Sequence, residues 1–305
     1  MISTVQFLAQ VSQFKLVRRE FFLSCKTLGG AVRQLKLTKR DKEIIYFIWR
    51  WKVMTTACIA RIYYPGSKSK VAYERLRKLK NAGYLELYVC RENKNKLWVL
   101  TPKSFKVVQE LYPEMKQKGF KSESPIHDIC TNQVQIGVFD GIDRKSMEAI
   151  TEQELRRLDS IDLPKNIPEE GHRPDGYWKV EGQNGTKLVA LELELSAKTK
   201  LQYTDIGYFY SFEDTIVSVI WAYQNQALAA RICRIFNEIF GGEGHKNSFV
   251  SFQDFKIKNI ETKITMGANA GQEMATIFEN LGARRVRGSV GDFLAQSINN
   301  VRLCH

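Results

Sequence analysis

Three acidic residues stand where a short β-hairpin would bring them together: Asp175, Glu192 and Glu194. From Lys187 to Ser196, leucines alternate with polar residues, which predicts a strand whose leucines face a core and whose two glutamates share the other face. Asp175 begins a second predicted strand, Tyr177 to Glu181, and a glycine-containing turn reverses the chain between them. Clustered carboxylates repel one another unless a cation lies between them. Oxygen ligands of this kind suit Mg²⁺ or Mn²⁺.

Two neighbouring residues would complete such a site. A metal held by carboxylates polarises a phosphate and lowers the pKa of a bound water. Lys198, at the start of the next predicted helix, would stabilise the charge that builds up in the transition state. His127 fits a general base or a phosphate contact, and it fits a helix-capping histidine equally well. The structural alternative for the whole motif is an ordinary strand with an acidic, solvated face.

The charge of the chain is divided unevenly along its length. The 305 residues allow two domains, and a hydrophobic content of 44% allows real cores. The net charge is +13, but residues 1–122 hold 26 Lys and Arg against 8 Asp and Glu, whereas the remaining residues hold 20 against 25. The basic front predicts a polyanionic partner. The acidic back suits a metal site better than a second phosphate-binding surface.

Composition also argues against several classes of protein. No apolar run approaches the roughly 18 residues of a membrane span. The six cysteines include no C-x-x-C pair, which argues against a zinc site and against a disulfide framework. We therefore expect reduced thiols and a cytoplasmic protein.

The basic half has the element order of a winged helix-turn-helix domain, predicted at residues 38–122. Thr38 caps the first helix, and Met54 and Thr55 open a second. A third helix runs from about Ser67 to Lys80, and its inward-facing residues are Val71, Leu76 and Leu79. Strands from Tyr84 to Cys90 and from Leu97 to Leu100 form the wing. The third helix would read duplex DNA in the major groove and the wing would contact phosphates. The predicted DNA-contacting residues are Lys68, Lys70, Arg75, Arg77, Lys78, Lys94 and Lys96. The alternative is a solvated basic helix in a winged fold that binds protein.

Residues 1–37 are predicted to form a helical arm in which apolar residues alternate with basic ones. The arm fits three roles equally: a docking helix, a DNA-contacting arm or a surface for a partner protein.

The acidic half, residues 123–305, is predicted to be an α/β domain with a mixed central sheet flanked by helices. Its order from about residue 125 to residue 256 is helix, three strands, helix, strand, helix, strand. Beyond the hairpin, the predicted elements are a first strand within Glu148–Leu155, a helix at Thr199–Phe212, a buried strand at Ile216–Trp221, a helix at Gln226–Phe240 and a strand at Phe249–Phe255.

This order and the motif Pro174-Asp175 with Glu192-Leu193-Glu194 resemble the PD-(D/E)xK nucleases, with Glu194 in place of the usual lysine. A winged helix joined to such a core resembles the replication-relaxation family and the MobC class of plasmid mobilisation relaxases. The resemblance implies a restriction-endonuclease-like fold and DNA nicking at the origin of a plasmid or integrative element. It also implies partner proteins of a relaxosome or replication complex, and an oligomer is compatible with it.

Three functions remain open from the sequence. The first is a metal-dependent nickase with Asp175, Glu192 and Glu194 as metal ligands and with Lys198 and His127 as further catalytic residues. The second is a non-catalytic DNA-binding accessory protein with a degenerate nuclease fold. The third is a site-specific endonuclease of defence or transposition.

Overall fold

The computed structural model describes residues 35–90, 94–113, 115, 119–158, 163–164, 173–182, 185–241 and 246–286. The chain divides into two units, Met1–Lys36 and Leu37–His305. The helical arm predicted for residues 1–37 lies almost wholly outside the described residues. The fold is mixed α/β. Among the described residues, no helix is both long and apolar enough to span a membrane.

The basic half contains the predicted three helices and hairpin. Its elements are α1 (Lys39–Trp51), α2 (Thr56–Tyr63), α3 (Ser69–Asn81), β1 (Leu85–Val89), β2 (Lys96–Leu100) and α4 (Pro102–Leu111). Thr38 caps α1 in a capping box with Asp41, as predicted. Gly66, with a φ of 75°, ends the turn before α3, where a residue with a β-carbon would be strained.

The wing is an antiparallel pair that is extended by one further bridge. β1 and β2 pair from Leu85 opposite Leu100 to Val89 opposite Lys96. Met54, between α1 and α2, pairs with Trp98 through backbone hydrogen bonds of 3.1 and 2.8 Å. The β1–β2 hairpin is thereby fixed to the segment between α1 and α2.

The acidic half follows the predicted order, with a short helix inserted after its first strand and with two helices and one strand added at its end. Its elements are α5 (Pro125–Gly137), β3 (Met147–Thr151), α6 (Glu152–Arg157), β4 (Gly176–Gly182), β5 (Gly185–Glu194), α7 (Lys200–Phe212), β6 (Ile216–Tyr223), α8 (Gln226–Phe240), β7 (Asn247–Ser251), α9 (Phe252–Lys258), β8 (Ile264–Gly267) and α10 (Met274–Asn280). The strands form one six-stranded sheet in chain order from β3 to β8. The pairs β5–β6 and β6–β7 are parallel and the others are antiparallel.

Helices cover both faces of this sheet. On one face, α7 and α8 pack on side chains such as Leu188 and Trp221. On the other face, Trp178 of β4 stacks edge-on against Phe278 of α10 and donates its indole N–H to a carbonyl of α5. The alternation along β5 therefore places two different cores on its two sides.

One predicted strand is wrong. Phe249–Phe255 divides into the end of β7, at Ser251, and the start of α9. The hydroxyl of Ser251 accepts a hydrogen bond from the backbone N–H of Asp254 at 3.2 Å, which caps the helix and ends the strand. Thr151 acts in the same way on the first predicted strand: it closes β3 and starts α6 with a capping box.

Buried ion pairs join the winged part to the acidic part. Arg50 of α1 contacts Glu154 at 2.6 Å, and Arg61 of α2 pairs with Asp140. The side-chain amide of Asn132 donates to the backbone carbonyls that flank the end of α1, both at 2.9 Å. The two parts are therefore held together by ion pairs and by hydrogen bonds from a side chain to the backbone.

Candidate functional site

The two glutamates of β5 are buried. Glu192 is 1% exposed and Glu194 is 2% exposed. They share one strand face, as predicted, but α7 covers that face. The alternative of an ordinary strand with a solvated acidic face is therefore wrong.

Two tyrosines, seven residues apart on α7, hold these carboxylates. The hydroxyl of Tyr210 donates to Oε1 of Glu192. The hydroxyl of Tyr203 donates to Oε2 of Glu194 at 3.3 Å and accepts from the backbone N–H of Lys198 at 3.0 Å. Burial, together with the charge of Glu192, raises the pKa of Tyr210 well above its usual value, so this hydroxyl stays a donor.

Lys198 supplies the nearest positive charge, as predicted. Its ammonium pairs with Oε1 of Glu194. Burial raises the pKa of Glu194, and Lys198 opposes that rise. For Lys198 itself, burial alone would lower the pKa, but the charges of Glu192 and Glu194 outweigh burial and raise it. Lys198 is thus a partner of Glu194.

Asp175 lies at the start of β4 and contacts both β5 and α5. Its Oδ2 accepts from the backbone N–H of Leu193 at 2.7 Å. The Nε2 atom of His127 lies 3.6 Å from the same oxygen and 3.2 Å from the carbonyl oxygen of Leu193. Burial raises the pKa of Asp175, against the pull of His127, and the charge of Asp175 raises the pKa of His127. His127 therefore lies at the carboxylate site, where it interacts with Asp175.

The chemistry of the donors suits a divalent ion, but the arrangement is incomplete. The charge of Glu192 adds to the rise in the pKa of Asp175, and the charges of Glu192 and Asp175 add to the rise in the pKa of Glu194, so the three carboxylates lie near one another. Across the described residues, no group of three or more His, Cys, Asp or Glu side chains is placed to hold a metal ion. Because Glu194 pairs with Lys198, Asp175 and Glu192 remain as the first candidates for ligands, and the predicted three-ligand set stays a prediction.

A small cavity connects the site to the winged part. It measures about 20 Å³, and Lys52, His127, Asp128 and Asp175 contribute to its lining. The ammonium of Lys52 lies 3.2 Å from Oδ1 of Asp128 and also pairs with Glu152. The end of α1 therefore forms one wall of the carboxylate site, which the sequence analysis did not anticipate.

The residues predicted to contact DNA lie on α3, at its N-cap and at the β1–β2 hairpin. Lys68, Lys70, Arg77 and Lys78 are exposed, and so are Lys94 and Lys96 on the wing. Val71 is 50% exposed, so its predicted inward orientation is wrong. Leu76 and Leu79 are buried, as predicted, and Ala72 completes the buried face of α3 in place of Val71.

Arg75 has a structural partner that sequence reasoning missed. Its Nε donates to Oδ1 of the buried Asp41 at 2.7 Å, and its Nη2 donates to Oδ2. Burial would raise the pKa of Asp41, but the hydrogen bonds from Arg75 and Thr38 lower it. Arg75 therefore ties α3 to α1, and its predicted DNA contact remains a prediction.

An open groove of about 970 Å³ lies between the start of α1 and α3, and Lys39, Arg40, Lys70 and Lys78 help to line it. Lys39 and Arg40 were absent from the predicted set. Their position directly after the capping Thr38 was the available signal, since a helix N-terminus favours anions. Arg40 also lies over the ring of Tyr64, with 4.9 Å from its guanidinium carbon to the ring centroid.

Comparisons with known proteins show only a limited likeness. No protein-family model matches the chain, and a search of curated proteins finds no match. Two solved structures of Lactococcus lactis ZitR are similar to part of it, and both alignments cover 37% of this chain and 75% of the other with a TM-score of 0.22. A mutant form is 22% identical. The wild type, solved in complex with DNA, is 20% identical. A TM-score this low carries no argument about function.

Proposed function

We propose that this protein binds duplex DNA through α3 and its wing, and that the carboxylate site nicks one strand of the bound duplex. The observation that carries the binding proposal is the row of exposed cations on the outer face of α3. Lys70 and Lys78 lie two turns apart on that face, and Lys94 and Lys96 extend the positive surface onto the wing. Such a helix in the major groove with a wing on the backbone is an established docking geometry.

A titration with labelled duplex DNA tests the binding proposal. The double variant Lys70→Ala and Lys78→Ala should bind random-sequence duplex at least about tenfold more weakly at moderate salt, because two phosphate contacts are lost. The matched control is Lys258→Ala with Lys263→Ala, which removes the same charge from exposed positions in the acidic half. Equal affinities for wild type and the α3 variant would contradict the proposal.

The nicking proposal rests on the buried acidic site. Asp175 and Glu192 would hold Mg²⁺ or Mn²⁺, and the bound ion would supply an activated water and polarise the phosphate. The protein's own part is to fix the carboxylates, through Tyr210 on Glu192 and through the N–H of Leu193 on Asp175. Lys198 supplies a positive charge beside Glu194, and His127 supplies one beside Asp175 when its imidazole is protonated.

The target in this proposal is the origin of a plasmid or integrative element, because the motif resembles that of mobilisation and replication-relaxation proteins. Supercoiled plasmid carrying the origin of the element that encodes the protein is the substrate of choice, with Mg²⁺ or Mn²⁺ added. Wild type should convert it to open circles. Asp175→Asn and Glu192→Gln should bind the same DNA and leave it supercoiled. Each variant loses one carboxylate that would hold the metal ion, while the residues of α3 proposed to contact DNA are unchanged.

The second candidate is a DNA-binding accessory protein without cleavage. The pairing of Lys198 with Glu194 favours it, because the ammonium already neutralises one of the three carboxylates. On this account, wild type binds the duplex but leaves the plasmid supercoiled with either metal. Melting temperature would not respond to Mn²⁺ in wild type or in Asp175→Asn.

A further inference from the structure

One acidic residue occupies the centre of the basic surface of α3. Glu74 lies on the face opposite the buried Ala72, Leu76 and Leu79. Lys70 precedes it by one turn and Lys78 follows it by one turn. A carboxylate in this position repels DNA phosphates, so it weakens phosphate binding unless it makes a favourable contact of its own.

The contact of Glu74 within the protein is a weak one. Its Oε2 lies 2.9 Å from Nη2 of Arg77, and the two side chains are 39% and 57% exposed. An exposed ion pair three residues apart on a helix contributes little to stability, because water screens it and two long side chains must be held in place. Water and DNA can therefore replace Arg77 as the partner of Glu74 at little cost.

The position of Glu74 matches that of a residue that reads a base. It projects from the second turn of α3, whose outer face would enter the major groove. There a carboxylate can only accept hydrogen bonds, and cytosine presents the N4 amino group as a donor. Guanine and thymine present acceptors at the corresponding major-groove positions, and these would repel it. Adenine presents its N6 amino group as a donor, but the N7 acceptor beside that group also repels a carboxylate.

We propose that Glu74 is a specificity-determining residue that accepts a hydrogen bond from the N4 amino group of a cytosine in the bound duplex. This inference rests on the proposed DNA binding by α3. On binding, Arg77 leaves Glu74 and pairs with a phosphate or a neighbouring guanine. The surrounding lysines supply affinity, and Glu74 rejects duplexes that lack cytosine at its position.

The test compares selected and unselected DNA. Wild type first selects duplexes from a pool with a randomised centre, and the selected sequences should share a cytosine. Glu74→Gln should then bind a selected duplex at least about fivefold more weakly. It should bind an unselected duplex more tightly, because a repulsive charge is gone. Glu110→Gln, at an exposed glutamate of α4 that pairs with Lys42, should change neither affinity.

Each outcome decides a different point. A wild type that binds no duplex overturns the proposed function together with this inference. A wild type that binds without sequence preference overturns the inference alone. An equal gain of Glu74→Gln on selected and unselected duplexes also overturns it, because Glu74 would then act only as a repulsive charge.

Discussion

The carboxylates of the site owe their positions to individual hydrogen-bond donors. Glu192 is buried under α7, where an unsolvated negative charge is costly unless donors surround it. Tyr210 provides one such donor and Lys198 adds a nearby positive charge. A site built in this way is fixed before any ligand arrives, as the proposed chemistry at phosphate would need.

Tyr210→Phe tests this positioning. Because the change removes one hydroxyl and leaves Glu192 buried with one donor fewer, the free energy of unfolding should fall by about 1–3 kcal/mol. Urea denaturation measures it. Tyr208→Phe on the same helix, where the side chain is 46% exposed, is the control and should stay within about 0.5 kcal/mol of wild type. Similar losses in the two variants would count against a role for Tyr210 in holding Glu192.

The pair of His127 and Asp175 predicts a dependence on pH. The charge of Asp175 raises the pKa of His127, so the folded protein binds a proton more tightly than the unfolded chain does. The stabilisation is therefore complete below about pH 6.5 and is lost as the pH rises through the folded pKa. NMR titration of the imidazole should show a lower pKa in Asp175→Asn than in wild type, and Asp254→Asn should leave it unchanged. If the pKa of His127 were the same in Asp175→Asn as in wild type, the proposed interaction between His127 and Asp175 would be contradicted.

At the scale of elements, the two sides of α3 differ: the inner side packs against the protein, and the outer side is exposed and charged. Its inner side packs through three small or branched residues, and Arg75 on its flank binds Asp41 of α1. Its outer side carries Lys70, Glu74 and Lys78. The Arg75–Asp41 pair thus fixes α3 against α1, and with it the orientation of the outer side that we propose binds DNA.

Arg75→Ala should therefore cost folding stability more than it costs binding by the folded protein. Asp41 is 1% exposed and would lose its cation, so the free energy of unfolding should drop by about 2 kcal/mol. Lys78→Ala, on the exposed side of the same helix, should change stability by less than about 0.5 kcal/mol. Thermal unfolding of the two variants decides between these roles. If Arg75→Ala were as stable as Lys78→Ala, Arg75 would be reassigned to the DNA-contacting surface.

Elements with local signals at both ends were predictable from the sequence. The predicted helix Gln226–Phe240 has the observed bounds, because Asn225 caps its start and Gly241 adopts a left-handed conformation at its end. The strand predicted at Phe249–Phe255 failed because its apolar run continues through a serine cap into α9. An apolar run alone does not distinguish a buried strand from the start of a buried helix.

The spacing of Asp175, Glu192 and Glu194 predicted their common neighbourhood, because strand alternation and a hairpin are local properties. The contacts of Arg75 with Asp41 and of Lys52 with Asp128 join residues far apart in the chain. The spacing of residues along the sequence does not predict which distant residues form such pairs. The burial of the glutamates likewise depends on where α7 packs.

At the scale of the whole molecule, part of the charge imbalance is used internally. Arg50, Lys52 and Arg61 of the basic half all pair with carboxylates of the acidic half. Burial raises the pKa of one of these carboxyls, Asp140, to about 6, although Arg61 opposes the rise. Some of the excess basic residues thus form the proposed DNA-binding surface, and others form ion pairs at the interface between the basic and acidic halves, which we call the joint.

Lys52→Met tests the joint. For Lys52, burial alone would lower the pKa, but Asp128 and Glu152 outweigh burial and raise it, so the ammonium is bound as a cation. Its loss leaves two carboxylates without their shared partner and should cost about 3 kcal/mol of unfolding free energy. Lys42→Met removes an exposed pair with Glu110 at 3.6 Å and should cost less than about 1 kcal/mol. Equal costs in denaturant unfolding would show that the joint does not depend on Lys52.

The salt dependence of duplex binding tests the central claim most directly. Each lost phosphate contact reduces the slope of log affinity against log salt by about 0.9. If the outer face of α3 holds DNA, the double variant Lys70→Ala and Lys78→Ala should lower the slope by about 2 relative to wild type. The pair Lys258→Ala and Lys263→Ala should leave it unchanged. A slope in the α3 variant equal to that of wild type would contradict the account.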